Sequence, residues 1–135
     1  MKILILLTIV GLFSINIFAQ KTPTFSNYKV TVEKATAQKI NPASHRKTKQ
    51  FRTNLKEALA EGKVNFAGKF IIAEWGCGSG CTQAAIIDAQ TGNVFFPDVL
   101  WQVIAGSTTL GDHELLDYKN DSRLLILAGY VGING

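Results

Sequence analysis

The sequence is short of the residues that form metal centres, since its 135 residues include two cysteines and two histidines. These side chains do not make a closed ligand set at a familiar spacing: Cys77, Cys81, His45 and His113. The chain also has no internal repeat and no heptad pattern, which excludes a solenoid and a coiled coil. Its length fits one domain with a core of modest size. No metal and no cofactor are therefore expected.

The chain contains no apolar run long enough to span a membrane, for which about 20 residues are needed. Its amino-terminal run, residues 3–18, follows Lys2 and leads to Ala19, a small residue at a cleavage position. This pattern is typical of a secretory signal peptide, with a retained membrane anchor as the alternative. We expect a signal peptide over residues 1–19 and a mature domain over residues 20–135 that is secreted or periplasmic and has no membrane span.

The excess of positive charge is small. Loss of Lys2 with the signal peptide leaves 13 of the 14 Lys and Arg residues against 10 Asp and Glu, a net charge of about +3. The basic residues crowd one segment, in which Arg46, Lys47 and Lys49 are candidates for contact with an anionic envelope component; an ordinary solvated face is the alternative. No nucleic-acid motif or base-stacking pattern accompanies this charge, so no nucleic-acid partner is expected.

The apolar pattern predicts an α+β domain with an antiparallel sheet of about five strands and one helix packed on one face. The run at residues 70–73 leaves no room for a polar face, which predicts a central strand covered on both sides. Asp88 and Gly92 are typical of a hairpin turn. The expected strands span residues 25–32, 65–75, 82–89, 94–96 and 99–104, followed by a hairpin of residues 114–118 and 123–127.

One helix is predicted over residues 44–61, because Phe51, Leu55, Ala58 and Leu59 recur at helical spacing. Its basic amino end and acidic carboxyl end oppose the helix dipole, which favours basic residues at the carboxyl end. This opposition favours a later start, near Thr48. The alternative is that the basic end is kept for a partner.

One stretch holds both cysteines and three glycines directly after an apolar run: Trp75, Gly76, Cys77, Gly78, Ser79, Gly80 and Cys81. Two cysteines in an exported protein are readily used in one bridge, so a Cys77–Cys81 disulfide is expected. The glycines allow the turn that this bridge needs, and we expect at least one of them at φ > 0. Because so short a loop gains only about 2 kcal/mol from a disulfide, rigidity is the better reason for the bridge.

A rigid, glycine-rich loop exposes backbone N–H groups that can hold a partner or an anionic group. We therefore interpret residues 75–81 as a candidate binding site, with a plain connection between strands as the alternative. Trp75 is a candidate anchor for the partner, and burial in the core is the alternative for its indole.

An enzymatic use of the loop is the runner-up. Ser79 lies between glycines, and either cysteine could act with His113 and an acid such as Asp112 or Asp117. The serine elbow, however, has glycines at the places that Cys77 and Cys81 occupy, and thiol-disulfide catalysts have two residues between their cysteines. We expect a non-enzymatic binding or envelope-associated protein, with a small hydrolase or thiol-redox enzyme as the alternative. No catalytic residue is assigned.

Several short segments together resemble uncharacterised small secreted bacterial proteins with a Trp-Gly-Cys-Gly-x-Gly-Cys loop. The segments are residues 65–68, 75–78, 80–81, 86–89, 91–92 and 121–125. The resemblance covers about residues 51–129, and the loop is its most specific part. It implies export and gives no activity, cofactor or catalytic residue.

Overall fold

The centre of the fold is a long antiparallel hairpin formed by β1 (Phe70–Gly78) and β2 (Cys81–Asp88). The computed structural model describes residues 21–106 and 114–132. The predicted signal peptide, Asp112 and His113 lie outside the described residues. The other helix and strands are α1 (Arg52–Ala60), β3 (Val94–Phe95), β4 (Val103–Ile104), β5 (Leu116–Tyr118), β6 (Leu125–Leu127) and β7 (Tyr130–Val131).

The strands of the described residues form two antiparallel sheets. β2 pairs with β1 along its length and, on its other side, with β4 near its start and β3 near its end. β7 pairs with β4 and completes a five-stranded sheet. β5 and β6 form a separate two-stranded sheet. The expected α+β fold with an antiparallel sheet of about five strands is therefore confirmed.

Buried side chains cover both faces of the β1–β2 hairpin, because alternate residues of a strand point to opposite faces. On one face Ile71 belongs to a core cluster with Leu55 of α1. On the other face Ile72 belongs to a second cluster with Leu100 and with Leu116 of β5. Burial of each such side chain contributes about 1.5–3 kcal/mol, so the hairpin depends on both layers. The helix covers one face, as expected, and the β5–β6 hairpin contributes to the cover of the other. The expected central position of β1 is wrong, because among the described strands it pairs only with β2 and lies at the edge of the sheet.

β1 begins after a tight reversal and not at residue 65. The Asn65 side chain accepts a hydrogen bond from Ile72 N (2.7 Å) and donates one to Ile72 O (3.1 Å), so it occupies backbone groups at the outer edge of β1. Gly68 has φ 80°, and a Cβ there would lie 2.3 Å from the carbonyl oxygen of Thr31. Gly68 therefore lies at a close backbone approach, and the strand starts five residues later than expected.

The strand expected over residues 25–32 is wrong. Phe25–Tyr28 forms a 3-10 turn, and a single bridge between Lys29 and Ser122 follows it. The loose alternation of this segment buries none of its side chains fully, so no core contact holds it in a sheet. Instead, Val30 N donates to the carbonyl oxygen of Asp121 at 2.9 Å.

The strand expected over residues 99–104 is correct only at its end. Asp98–Leu100 forms a 3-10 turn directly after Pro97, and β4 occupies the last two residues of the expected range. The turn fully buries Leu100. A short apolar run does not distinguish a strand from a helical turn, and here burial of one leucine decides for the turn.

The helix is shorter at its amino end than the apolar spacing predicts. A separate 3-10 turn, Arg46–Thr48, precedes α1, and the Nδ1 atom of His45 accepts a hydrogen bond from Lys47 N at 3.1 Å. This break removes Arg46 and Lys47 from the first turn of α1, where cations are unfavourable. The late start that the charges favoured is confirmed, although it falls at Arg52 and not near Thr48.

The turn after β2 is the hairpin turn expected from Asp88. Its carboxylate accepts hydrogen bonds from Gln90 N at 2.9 Å and Thr91 N at 3.2 Å. Burial alone would raise the pKa of Asp88, but these N–H groups and Lys69 outweigh it and hold the pKa below its usual value. Gly92 follows at φ 74°, and a Cβ there would lie 2.1 Å from the carbonyl oxygen of Lys39.

Gly92→Ala should therefore destabilise the protein more than Gly62→Ala. Both glycines have positive φ, at which an alanine costs about 1–2 kcal/mol. Only Gly92 faces backbone, because nothing lies within 4 Å of a Cβ on Gly62. We expect Gly92→Ala to lower the unfolding free energy by about 1–3 kcal/mol more than its control, measured by urea denaturation. Equal losses would contradict the close packing of the 39–41 segment on this turn.

Candidate functional site

The β1–β2 hairpin turns sharply at the glycine-cysteine loop. Gly78 pairs with Cys81, so Ser79 and Gly80 alone connect the strands, and the register shifts between Gly76 and Gly78. Gly78 has φ 136° and Gly80 has φ 65°. The expectation that at least one loop glycine has positive φ is confirmed. The loop is the tip of the central hairpin.

Both cysteines of the chain belong to one pair at this tip. The sulfur atoms of Cys77 and Cys81 lie at disulfide distance, and their Cα atoms are 5.1 Å apart. That separation is within the range of about 4.4–6.8 Å that a disulfide requires. The expected pairing agrees with the structure, in which neither thiol is free.

A neighbouring strand end holds the tip from the side. Ala105 N, directly after β4, donates a hydrogen bond to the carbonyl oxygen of Gly80 at 2.7 Å. A Cβ on Gly80 would meet the Ala105 side chain at 3.5 Å, an ordinary contact. The turn is therefore fixed by the cysteine pair across it and by this hydrogen bond to the end of β4.

Sheet register places three side chains in a row that begins at the cysteine pair. Cys81 lies opposite Ile104 on β4, and Ile104 lies opposite Tyr130 on β7. Paired residues on adjacent strands share a face, so all three lie on one side of the sheet. Ile104 is 40% exposed and Tyr130 is 70% exposed. We call Cys81, Ile104 and Tyr130 the cystine row.

The cystine row lies on the same face as α1 but beyond its cover. Alternation along β2 puts Cys81, Ala85 and Ile87 on one face, and the last two belong to the core cluster that contains Leu55 of α1. That cluster ends before the tip, where Cys81 is half-buried. The open end of this face thus carries an exposed apolar and aromatic row next to a rigid turn.

Trp75 lies next to the tip, but its contacts are those of a residue at the edge of the core. Its ring stacks on Phe51 with centroids 4.7 Å apart, and it packs against the cluster under α1. Its indole Nε1 donates a hydrogen bond to Gln83 Oε1 at 2.9 Å. Because the ring and its polar atom both have partners within the protein, the geometry favours the core role for this indole.

The three basic residues of the sequence hypothesis do not form one patch. The Nζ atom of Lys47 lies 3.3 Å from the ring centroid of Trp101, a cation–π contact, and the Trp101 ring meets the Phe51 ring edge to face. Arg46 and Lys49 are exposed, and Lys49 lines a groove beside α1 that Arg46 and Lys47 do not line. The structure therefore separates Lys47 from Lys49.

A carboxyl and phenol pair lies on the opposite face of β1, where no sequence pattern indicated it. Tyr118 OH donates a hydrogen bond to Glu74 Oε1 at 2.5 Å. Burial raises the pKa of Glu74; the hydrogen bond from Tyr118 opposes this, and nearby Glu114 adds to it. Burial and the same hydrogen bond also raise the pKa of Tyr118. The pair links β5 to β1, and nothing local in the sequence reveals that contact.

Of the residues of the enzymatic alternative, the structure describes Cys77, Ser79, Cys81 and Asp117, whereas Asp112 and His113 lie outside the described residues. His45, which the sequence offered only as a possible metal ligand, packs its ring on Phe96 with centroids 4.8 Å apart and accepts a hydrogen bond from Lys47 N. Ser79 has no hydrogen bond to another described residue. Residues 21–106 and 114–132 contain no group of three or more His, Cys, Asp or Glu that could hold a metal ion.

Comparison with known proteins returns no relative. No protein-family model, no curated protein and no solved structure matches this chain. Among the described residues, no helix is long and apolar enough to cross a membrane. Any functional conclusion therefore depends on the geometry of the tip and of the surfaces around it.

Replacing both cysteines by serine should loosen the tip without unfolding the domain. The bridge closes a very short loop, which limits its effect on the unfolding free energy to about 2 kcal/mol or less. We expect Cys77→Ser with Cys81→Ser to lower stability by up to that amount in urea denaturation and to keep a cooperative transition. Loss of folding would contradict this role. Two free thiols titrated in the denatured, unreduced exported protein would contradict the disulfide itself.

Proposed function

We propose that the protein is an exported binding protein that holds an envelope component on its cystine row. The observation that carries the proposal is the register that places Ile104 and Tyr130 beside Cys81 while both stay exposed. An exposed aromatic side chain beside aliphatic surface is a common anchor in protein recognition. Export is supported by the apolar pattern of residues 1–19 and by the resemblance to small secreted proteins.

Rigidity of the tip supports binding as the role of the loop. The Cys77–Cys81 pair and the hydrogen bond from Ala105 to Gly80 order the turn before any partner arrives. A preordered surface loses less conformational entropy on association, which strengthens binding without added contacts. The bridge contributes little to global stability, so this local order is its main physical effect.

The residue types at the tip and in the cystine row are also those found in recognition surfaces. Tyr130 offers a large ring with few rotatable bonds and a hydroxyl at its end, and Ser79 with its flanking glycines offers accessible backbone groups. Tyrosine, serine and glycine are the residue types that binding loops use for this combination of contact area and adaptable hydrogen bonding. We therefore favour a binding surface over the hydrolase or thiol-redox alternative, which would use a free thiol or an activated serine.

Tyr130→Ala should weaken binding to isolated bacterial cell envelopes. Loss of an anchoring ring reduces affinity by about tenfold or more, measured as the bound fraction after sedimentation across protein concentrations. The matched control is Tyr28→Ala, which removes another exposed tyrosine outside the cystine row and should bind like the wild type.

Three outcomes would contradict the proposal. One is a wild-type protein that does not sediment with envelopes at all. Another is equal binding by the Tyr130→Ala variant. The third is equal loss in both tyrosine variants, because it would place the contact outside the cystine row. The thermal unfolding midpoint of each variant is measured as a control, and a midpoint close to that of the wild type shows that the change in binding is not a change in folding.

A further inference from the structure

A second surface of the molecule, a groove beside α1, differs from the cystine row in the residues that form it and has the features of an anion site. A groove of about 1400 Å³ runs between the segment of residues 35–42 and one side of α1, with Thr91 at its edge. Its volume is not smaller than the range of about 300–1,000 Å³ typical of small-molecule pockets, so a small ligand has room in it. No residue of the cystine row lines it.

Four basic side chains line this groove: Lys39, Lys49, Arg52 and Lys56. None of the described lining residues is acidic, and none of the four cations has an ion pair with a described residue. Arg52 and Lys56 are four residues apart in α1, which puts them on one side of the helix, and Lys49, in the turn before α1, lines the same groove. Like charges at this spacing repel one another, so an anion between them would remove an unfavourable interaction.

The first turn of α1 adds to this positive potential. α1 begins at Arg52 with no acidic residue in its first turn and with no side-chain hydrogen bond at its N-cap, Phe51. A helix amino terminus carries a partial positive charge and unsatisfied N–H groups, which favour a nearby anion. The cation at Arg52 is unfavourable there without one.

A buried hydroxyl in the same groove is an independent sign of a missing partner. Thr48 lines the groove, is 1% exposed, and its Oγ1 atom has no hydrogen-bond partner among the described residues. Buried hydroxyls in folded proteins are nearly always hydrogen-bonded. Because this hydroxyl is covered, a ligand oxygen reaches it only when neighbouring groove side chains shift.

We propose that this groove binds a soluble ligand carrying several phosphate groups. Phosphate oxygens accept hydrogen bonds from lysine, from the fork of arginine and from a threonine hydroxyl, and four cations match more than one phosphate group. Of the three basic residues that the sequence singled out, only Lys49 belongs to this site; Lys39, Arg52, Lys56 and Thr48 complete it. The site is independent of the proposed binding at the cystine row.

The first test titrates the full mature protein with inorganic tripolyphosphate by calorimetry, at low and at physiological ionic strength. Lys49→Gln with Arg52→Gln should weaken binding by about tenfold or more, since two charge-assisted contacts are lost. Arg46→Gln with Lys47→Gln makes the same change in net charge outside the groove and should weaken binding by less than about twofold. All four side chains reach solvent, so both variants should fold.

The second test uses the buried hydroxyl. Thr48→Val keeps the shape of the side chain and removes an unpartnered polar group, so stability without ligand should stay equal or rise. Affinity for tripolyphosphate should nevertheless fall by about threefold or more, since one hydrogen bond to an anion is lost. A structural role alone would give the opposite pattern, a loss of stability with unchanged affinity, and that result would overturn the participation of Thr48.

The other possible results of these titrations also support or overturn the proposed site. No binding of tripolyphosphate by the wild type would overturn the site, as would equal weakening in the two double variants, because this would show diffuse attraction by net charge. Binding to phosphatidylglycerol vesicles without binding to tripolyphosphate would assign the phosphate to a lipid headgroup and overturn a soluble ligand. Loss of tripolyphosphate binding in the groove variant alone supports the proposal.

Discussion

The structure depends on one arrangement, an antiparallel hairpin that is buried on both faces. β1 presents Ile71 to the cluster under α1 and Ile72 to the cluster that includes Leu116, so neither layer can be removed without exposing a β-branched side chain of β1. The small residues Ala73, Ala84 and Ala85 at the pairing centre let both layers approach closely. The cystine row and the basic groove both depend on this hairpin, since the tip continues the hairpin and the groove borders the helix that covers it.

The parts of the fold that could be predicted from the sequence are those determined by residues close together in the chain. The unbroken apolar run predicted a strand covered on both sides, Asp88 and Gly92 predicted the turn, and the loop composition predicted the Cys77–Cys81 pair. The helix was also predicted, and the conflict between its charges and the helix dipole correctly indicated a late start. Each of these signals lies within a few residues of its structural consequence.

The parts that it missed depend on distant partners. Residues 25–32 alternate like a strand, yet their backbone is bonded to the loop around Ser122, a contact that no local pattern contains. Asn65 acts as a substitute for a strand neighbour through two hydrogen bonds to Ile72, so a residue expected inside the strand lies beside it. The place of Tyr130 in the cystine row follows from register across β4, which only the assembled sheet defines.

The candidate sites, like the fold, contain some residues that local sequence predicted and others that only the assembled structure reveals. The tip was identified from its glycines and cysteines, whereas its exposed neighbours Ile104 and Tyr130 were not. The basic segment was identified from composition, but in the structure Lys47 contacts the ring of Trp101 and Lys49 lines the groove. Composition thus indicated that positive charge is concentrated near α1, whereas only the structure shows which of these cations line one groove.

Native-state hydrogen exchange tests the central claim most directly, because amides protected by a doubly buried ladder exchange only through global unfolding. The account predicts that the slowest amides belong to the β1–β2 ladder around Ile71 and Ile87 and that their opening free energy equals that of denaturant unfolding. Amides of β5–β6 should open at a lower free energy. Slower exchange in β5–β6 or α1 than in the β1–β2 ladder would contradict the hairpin as the element on which the fold depends.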